Sequence, residues 1–328
     1  MRRLLGLMST CALASVVAFA AAAQDKVKFN MSWLPQGSVG GILVAIDQGY
    51  YKDAKIEVEA VRGYGGLRTV NEIDQGLFEF GYGNPIGVIQ NRDKGGKTVM
   101  IGAINTRWPA GLCYVKEHRQ PKTLADIKGM TVAAGQFSPV LIVAPAWLEL
   151  NGLPRDYLKL VSMDPAVIDP SLIENKVDLA ECWLASSWPT LRVLAKKANK
   201  TLDWIEYRNF KLDVYGSGLT TTEKLIKEKP DLVKRFVAAT YKGYQFQMKD
   251  PGKAADILNK MFPILERQVA YEQITEINDL LVDPDAKAKP LGWQSPQRME
   301  STLAFLAGAT QAKVPMKATD LYSNQFVE

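Results

Sequence analysis

Four short stretches rich in glycine, aromatic and amide residues carry the chemistry that this sequence offers. They are WLPQGSVGG at 33–41, RGYGGLR at 62–68, YGNP at 82–85 and GQFSP at 135–139. Each one follows a strand-like run and precedes a helix-like run. A helix N-terminus presents free N–H groups and partial positive charge, and glycine lets a ligand approach the backbone closely. The stretches therefore predict a cup for a small molecule, with the glycines of the first stretch against the ligand.

Nucleotide binding and catalysis have little support. The first stretch has neither the G-x-x-x-x-G-K-[ST] nor the G-x-G-x-x-G spacing that holds phosphates. The only histidine, His118, lies in the polar run KEHRQPK, so a serine or cysteine nucleophile would lack a base held beside it. There is no CxxC pair for zinc. We expect no catalytic residue, no metal and no cofactor.

Aromatic side chains gather at the ends of the predicted strands, where ring faces would suit a flat, partly apolar solute. Core packing stays open as the alternative for each ring, because aromatic residues also dominate cores. The rings are those of Trp33, Tyr64, Tyr82, Trp108, Phe137, Trp183 and Tyr215.

The charged residues that could contact a solute are compatible with two kinds of solute, one that carries an amine and one that is an anion. Glu181 follows the run VDLA at the end of a predicted buried strand, where a carboxylate needs a partner; a ligand amine or a nearby arginine would serve. Arg107 stands before Trp108 and Pro109 and could hold an anion by two parallel hydrogen bonds. Arg62 and Arg68 are further candidates, and a surface position is the alternative for each arginine.

The N-terminus has the pattern of an export signal. Arg2 and Arg3 precede an apolar run at 4–19, and Ala21 to Ala23 supply the small residues of a cleavage site after Ala23. A membrane anchor is the alternative, but the run is short for a span of roughly 20 apolar residues. Removing 23 of the 328 residues and two arginines leaves 305 residues with a net charge of +3. Such weak basicity without a basic block argues against nucleic acid as a partner.

Two cysteines remain after cleavage, Cys113 and Cys182. A disulfide and two free thiols are both compatible with one pair. We favour two buried thiols, because both residues lie in apolar strand-like runs.

Strand-like and helix-like runs alternate from residue 27 to residue 206, which predicts two consecutive βα sets, each large enough for its own sheet. After Tyr215 the pattern becomes almost entirely helical. We expect those helices to pack back on an earlier sheet.

Four longer stretches carry a resemblance to a known family. They are SWLPQGSVGGILVAIDQGYYKDAKIEVE, GGLRTVNEIDQGLFEFGYGN, KTLADIKGMTVAAG and KPDLVKRFVAATYKGYQFQMKDP. In order and spacing the chain resembles the periplasmic solute-binding proteins of ABC importers that serve nitrate, taurine, alkanesulfonates and thiamine-precursor pyrimidines. The family also includes fungal enzymes that build a thiamine pyrimidine. Those enzymes carry a cysteine-rich motif and an active-site histidine that this chain lacks, which argues against an enzyme.

The resemblance implies an α/β, two-lobed periplasmic-binding-protein fold of type II, each lobe a mixed sheet flanked by helices, with the ligand cleft between the lobes. Lobe 1 would comprise 25–110 and 217–328, and lobe 2 would comprise 111–216, with crossings near 107–112 and 212–218. The matching positions for ligand contact are Trp33, Pro35, Gln36, Gly65, Gly66, Asn84, Gln136, Phe137 and Ser138.

The expected function is that of a periplasmic, monomeric receptor that captures a small solute by lobe closure and delivers it to an ABC permease. We expect a flat heteroaromatic solute of the thiamine-precursor pyrimidine type, stacked between aromatic rings, with Glu181, Asn84 and Gln136 fixing its polar groups. The alternative solute is a sulfonate or aromatic carboxylate held by Arg107, Arg62 or helix N-termini. An enzyme in the same cleft and a receptor for a membrane sensor remain open as further alternatives.

Overall fold

Two five-stranded mixed sheets form the framework of the protein. The computed structural model describes residues 24–327, so the predicted export signal and its cleavage site lie outside the described residues. The first sheet has the order β2-β1-β3-β10-β4, with β1 at Asp25–Asn30, β2 at Ile56–Val61, β3 at Phe80–Gly83, β4 at Thr98–Ala103 and β10 at Gly218–Thr222. The second has the order β7-β6-β8-β5-β9, with β5 at Ala110–Val115, β6 at Thr131–Gly135, β7 at Lys159–Met163, β8 at Leu179–Trp183 and β9 at Leu202–Glu206.

Twelve α-helices lie between and after these strands in the described part of the chain. Those that follow strands of the first sheet are α1 (Gly40–Asp47), α2 (Tyr50–Asp53), α3 (Gly66–Asp74) and α4 (Pro85–Asp93). Those of the second sheet are α5 (Val140–Leu150), α6 (Pro165–Ile173) and α7 (Ser187–Lys197). The remaining helices are α8 (Glu223–Glu228), α9 (Pro230–Lys249), α10 (Pro251–Met261), α11 (Arg267–Leu281) and α12 (Pro296–Thr310). None of the helices between residues 24 and 327 has both the length and the apolar character that a membrane crossing requires.

The predicted pattern after Tyr215 is almost entirely helical, and the structure departs from it in one segment that was not predicted as a strand. Gly218–Thr222 forms β10, which pairs antiparallel with β3 on one side and β4 on the other. Its threonines are β-branched and suit a strand, but the run is short and a helix starts directly after it. Strands β10 and β5 are antiparallel to their neighbours, and the chain enters each of them directly from the other sheet.

The C-terminal helices pack back on the first sheet, as the sequence predicts. Phe236 on α9 stacks on Phe80 of β3 with ring centroids 3.9 Å apart, and its ring lies 5.2 Å from that of Tyr51. These rings belong to one buried cluster that also contains Val27 and Phe29 of β1. The cluster anchors the helices against the first sheet.

The glycines of the first stretch serve helix packing, so the prediction that they lie against a ligand is wrong. A Cβ atom on Gly41 would lie 2.3 Å from the ring of Tyr244, and one on Gly40 would lie 2.2 Å from the side-chain oxygen of Gln247. Both partners are on α9. A Cβ on Gly37 would lie 2.5 Å from the Cβ of Gln273 on α11. The missing side chains therefore let α1 approach α9 closely.

Cys113 and Cys182 form a disulfide, so the expectation of two free thiols is wrong. Both residues are fully buried, as their apolar surroundings predict. They lie on the adjacent antiparallel strands β5 and β8 with their Cα atoms 5.4 Å apart, which is within the usual span of a disulfide. The sequence does not reveal that these two strands are neighbours.

Candidate functional site: the cleft between the two sheets

Two chain crossings connect the sheets and hydrogen-bond to each other. The first runs from the end of β4 to Ala110, and the second returns from 211 to Gly218. The Asn105 N–H donates to the Ser217 carbonyl at 2.8 Å, and the Gly216 N–H donates to the Asn105 carbonyl at 2.9 Å. The second crossing is also tied to α12, since the Tyr215 N–H donates to the Thr302 hydroxyl at 3.0 Å. The pair of crossings forms the only backbone connection between the sheets within 24–327.

A cavity of about 280 Å³ lies between the sheets. Its lining comes from the segments that follow β1, β2, β3, β6, β7 and β8 at their carboxyl ends, the usual position of ligand sites in α/β sheets. The volume is close to the lower end of the roughly 300–1,000 Å³ range of small-molecule pockets. The cavity therefore suits a compact solute.

Trp33 and Trp183 line the cavity from opposite sheets. Trp33 follows β1 and Trp183 ends β8. Each is partly exposed, which leaves ring surface for a solute. A Cβ on Gly135 would lie 3.0 Å from the Trp33 ring, so the lack of a side chain at Gly135 makes room for this tryptophan.

Glu181 is a buried carboxylate in the wall of the cavity. Its Oε1 accepts the Gly135 N–H at 2.7 Å, and its Oε2 accepts the indole N–H of Trp183 at 2.9 Å and the hydroxyl of Ser138. Burial raises the pKa of the Glu181 carboxyl, while these three hydrogen bonds oppose the shift. The alternation of β8 explains the arrangement, because Cys182 points to the opposite face and joins β5 there. Glu181 thus orients one aromatic wall of the cavity.

Asp169 on α6 is the second acidic residue of the cavity lining. Burial, with a smaller contribution from the charge of Glu181, raises the pKa of Asp169 to about 7. Within 24–327 no hydrogen bond or ion pair compensates this carboxylate. None of the described residues that line the cavity is Arg, Lys or His. The cavity is therefore electronegative.

The two sides of the cleft meet over the cavity through polar contacts. The Ser186 hydroxyl donates to the side-chain oxygen of Gln36. Gln273 joins both sides, because its Nε2 donates to the Ser186 carbonyl at 2.8 Å and its Oε1 accepts the Gly37 N–H at 2.8 Å. The Ser38 hydroxyl donates to the Ala185 carbonyl at 3.1 Å. These contacts are those of a cleft in its closed form.

Comparison with known proteins identifies the family. Residues 36–254, about two thirds of the chain, match the family described as NMT1/THI5 like. The chain belongs to the NMT1/THI5-like family. Among the described residues of this family member, no group of three or more His, Cys, Asp or Glu side chains is placed to hold a metal ion.

Relatives and solved structures agree with this assignment. The formylaminopyrimidine-binding protein of Halalkalibacterium halodurans is 20% identical over 92% of this chain and 91% of its own length. The riboflavin-binding protein RibY of Chloroflexus aurantiacus is 23% identical over 92% of this chain and 86% of its own length. The ligand-binding component of an ABC-type import system from Staphylococcus aureus, solved with zinc bound, superposes with a TM-score of 0.70 at 14% identity, over 93% of this chain and 98% of that chain. The fold is thus the two-lobed periplasmic-binding-protein fold. We call the lobe with the first sheet lobe 1 and the lobe with the second sheet lobe 2.

Ten of the residues predicted for the site line the cavity of this NMT1/THI5-like protein. The glycine pair and Asn84 are packed together, because a Cβ on Gly66 would lie 2.1 Å from the Asn84 amide nitrogen. Asn84 also caps α4, its Oδ1 accepting the Gly87 N–H at 2.9 Å. The ten residues are Trp33, Pro35, Gln36, Gly65, Gly66, Tyr82, Asn84, Ser138, Glu181 and Trp183.

Three predicted residues lie beside the cavity and point elsewhere. Tyr64 is 46% exposed and stacks against Arg62 and Arg68 on the outer surface. Gln136 and Phe137 are exposed, and the Phe137 backbone packs on Gly65 of the opposite lobe. Ser138, which follows them, turns inward to Glu181. The stretch GQFSP therefore contributes one side chain to the lining.

Trp108, Tyr215 and Arg107 lie behind the cavity. Trp108 and Tyr215 are buried in the core, which agrees with core packing, the alternative considered for each aromatic residue. The Tyr215 hydroxyl donates to the Asp283 carboxylate at 2.6 Å. Arg107 lines a separate cavity of about 250 Å³ together with Arg208, Glu276 and Asp279. The crossing directs these side chains away from the cleft.

The sequence reasoning missed several lining residues. Asp169 lies within the helical run PAVIDPSLI, where nothing in the local pattern marks a site. Asn105 lies in a crossing, and Ser186 and Gln273 come from a helix start and from α11. The helical pattern after Tyr215 predicts a helix in the region of α11 but does not indicate which of its residues reaches the other lobe.

Proposed function

We propose that this protein is the solute-binding component of an ABC import system and that its solute is a compact, flat heteroaromatic molecule. The observation that carries the proposal is the cavity between the lobes, walled by Trp33 and Trp183 and free of cationic side chains among its described lining. The relatives whose names mention formylaminopyrimidine and riboflavin, both nitrogen heterocycles, support the same solute class.

Hydrogen-bond donors on the ring would face the acidic side of the cavity. Amino groups and protonated ring nitrogens donate, and the carboxylates of Glu181 and Asp169 accept. Asn84 and Gln36 offer amide groups from lobe 1. Ring faces would contact Trp33 and Trp183. Gln136, expected to fix a ring polar group, is exposed outside the cavity and has no part in this arrangement.

The anionic alternative finds no support in the lining. Arg107 and Arg62, the residues expected to hold a sulfonate or carboxylate, do not line the cavity. An anion would also face the two carboxylates at close range. Helix N-termini alone would have to offset both the anion's desolvation and that repulsion.

Capture would proceed by closure of the lobes around the solute. Lobe 1 would comprise 25–110 and 217–328 and lobe 2 would comprise 111–216, with bending at the two crossings. Solute that contacts both lobes favours the closed form because only that form makes both sets of contacts. We propose a periplasmic monomer whose further partner is the permease, and a receptor rather than an enzyme, since the described lining offers no histidine or cysteine to act as base or nucleophile.

A thermal-shift panel tests this proposal. The mature chain, residues 24–328, is mixed with pyrimidines, flavins, aliphatic sulfonates, aromatic carboxylates and nitrate. A solute at 100 times its dissociation constant should stabilise the fold by about 2.7 kcal/mol. Shifts with the heterocycles alone support the proposal. Shifts confined to sulfonates, carboxylates or nitrate contradict the heteroaromatic solute, and turnover of any bound solute contradicts the receptor role.

A further inference from the structure

Asp169 differs from Glu181, the other carboxylate of the cavity lining, because no hydrogen bond or ion pair compensates it within 24–327. Glu181 receives three hydrogen bonds, from Gly135, Ser138 and Trp183. Asp169 lines the same cavity, is only partly exposed, and has no donor or cation beside it within 24–327. A carboxylate withdrawn from water without a partner is costly. Its carboxylate therefore depends on water, or on a solute in the cavity, for hydrogen bonds.

The charges of the residues that line the cavity also favour a positively charged solute. Two carboxylates share one enclosed space, and none of the described lining residues is basic. Like charges at short distance disfavour each other's ionised form. A single positive charge placed near both would offset the repulsion, whereas a neutral solute would leave it in place.

The groups on neighbouring elements do not supply that charge. Strands β5, β6 and β8 and helix α7 pack against α6. Apart from Glu181, the strands contribute no acidic or basic side chain beyond the phenol of Tyr114. On α7, Arg192 and Lys197 pair instead with Glu272 and Glu266 of lobe 1. The remaining charged residues are Lys196 on α7, Asp164 at the N-cap of α6 and Glu174 directly after α6.

We propose that Asp169 is a specificity-determining residue that selects solutes carrying a positive charge, such as a protonated amine or amidinium on the ring, over neutral molecules of the same shape. This inference deepens the proposed function and rests on it. Binding of such a cation stabilises the ionised carboxylate of Asp169.

A matched pair of probes isolates the charge. They are the 5-aminomethyl and 5-hydroxymethyl derivatives of 4-amino-2-methylpyrimidine, of which the first is protonated at neutral pH as primary amines are. Titration calorimetry compares both on the wild type, on Asp169→Asn and on Asp164→Asn. The last variant is the control, because it makes the same charge change on the exposed N-cap of the same helix, where asparagine caps equally well.

The wild type should bind the aminomethyl probe about tenfold to 100-fold more tightly than the hydroxymethyl probe, the range expected for a hydrogen bond to a charged group. Asp169→Asn should lose that preference while its affinity for the hydroxymethyl probe stays within about threefold, and Asp164→Asn should keep the preference. The affinity of the wild type for the aminomethyl probe should rise between about pH 5.5 and about pH 8, and that of Asp169→Asn should not.

The outcomes separate this inference from the proposed function. A preference for the charged probe that survives in Asp169→Asn, or equal binding of both probes, overturns the role of Asp169 and leaves the heteroaromatic receptor standing. If neither pyrimidine binds, benzylamine and benzyl alcohol repeat the comparison without the heterocycle: a charge preference that depends on Asp169 still supports the inference. Binding of anionic solutes alone contradicts both.

Discussion

Trp33 and Trp183 belong to opposite lobes, so a ring between them would be held only when the cleft is closed. We expect Trp33→Ala and Trp183→Ala each to weaken solute binding by about 1–3 kcal/mol. Titration calorimetry with a solute found in the panel measures the loss. Tyr64→Ala is the control, since Tyr64 lies outside the cavity and should leave affinity unchanged. Unchanged affinity in both tryptophan variants would rule out stacking.

The carboxyl of Asp169 should also give the ligand-free protein a pH-dependent stability. Its pKa of about 7 lies above the ordinary value of 3.8, so the folded state retains a proton that the unfolded state has lost. The stability associated with Asp169 is therefore lost as pH rises from about 4 to about 7 and is constant above that. His118, whose pKa is lowered mainly by burial, acts in the opposite direction near its ordinary value.

The difference between wild type and Asp169→Asn isolates this contribution from that of His118. Urea unfolding at several pH values should show the variant gaining stability relative to the wild type as pH increases from about 5 to about 7.5. Parallel pH profiles for the two proteins would contradict the raised pKa of Asp169.

At the residue scale, the sequence predicted which residues lie at strand ends but not the direction in which their side chains point. Glu181 and Asn84 follow recognisable strands, and the general position of ligand sites at strand ends places them in the cleft. Trp108 and Tyr215 stand at equally plausible places in the sequence but turn into the core. Asp169 escaped notice because it lies within a helix, and only the folded chain brings it beside Glu181.

At the scale of elements, the contact of α1 with α9 depends on glycine. Gly41→Ala should destabilise the fold by about 1–3 kcal/mol, because its Cβ would overlap the Tyr244 ring. Gly308→Ala, at an exposed position of α12, is the matched control, with no atom within 4 Å of the added Cβ. It should stabilise by about 0.5–1 kcal/mol through the higher helix propensity of alanine. Urea unfolding measures both, and a Gly41→Ala protein as stable as the wild type would contradict this packing role.

The disulfide fixes the strand that carries two cavity residues. Cys113 and Cys182 are 69 positions apart, and replacing both by alanine should lower stability by about 2–4 kcal/mol. A reducing agent should destabilise the wild type in urea and leave the double variant unaffected. If reduction has no effect on the wild type, the two cysteines are not joined in solution.

Element prediction succeeded where the pattern was local. The alternating runs before residue 207 gave strands and helices within a few residues of their observed bounds, because each run carries its own periodicity. Strand β10 was not predicted from its local pattern, since its pairing partners β3 and β4 lie more than a hundred residues earlier. The adjacency of β5 and β8, and hence the disulfide, is likewise a property of the tertiary fold.

At the scale of the whole molecule, two ion pairs connect the lobes across the cleft. Arg192 and Lys197 of α7 pair with Glu272 at 3.5 Å and Glu266 at 2.9 Å. The four side chains are partly or well exposed, so each pair should contribute at most about 1 kcal/mol. Because both pairs bridge the two lobes, we expect them to favour closure and so to add to the affinity for solute.

The double variant Arg192→Ala/Lys197→Ala should therefore bind solute about twofold to fivefold more weakly at low salt, with the difference disappearing at high salt. Lys253→Ala, which removes a pair with Asp250 inside lobe 1, should bind like the wild type. A double variant with unchanged affinity at low salt would show that these pairs do not contribute to closure.

Helix α12 lies on the far side of the crossings from the cavity and packs against α4 of lobe 1 and α5 of lobe 2. The crossings are tied to it through Tyr215 and Thr302. If the lobes close by bending at the two crossings, as we propose, the contacts of α12 with both lobes must change when the cleft opens. A change of side-chain volume at Met299 or Leu306, which lie in the core that the lobes share, should then alter solute affinity from a place that the solute never touches.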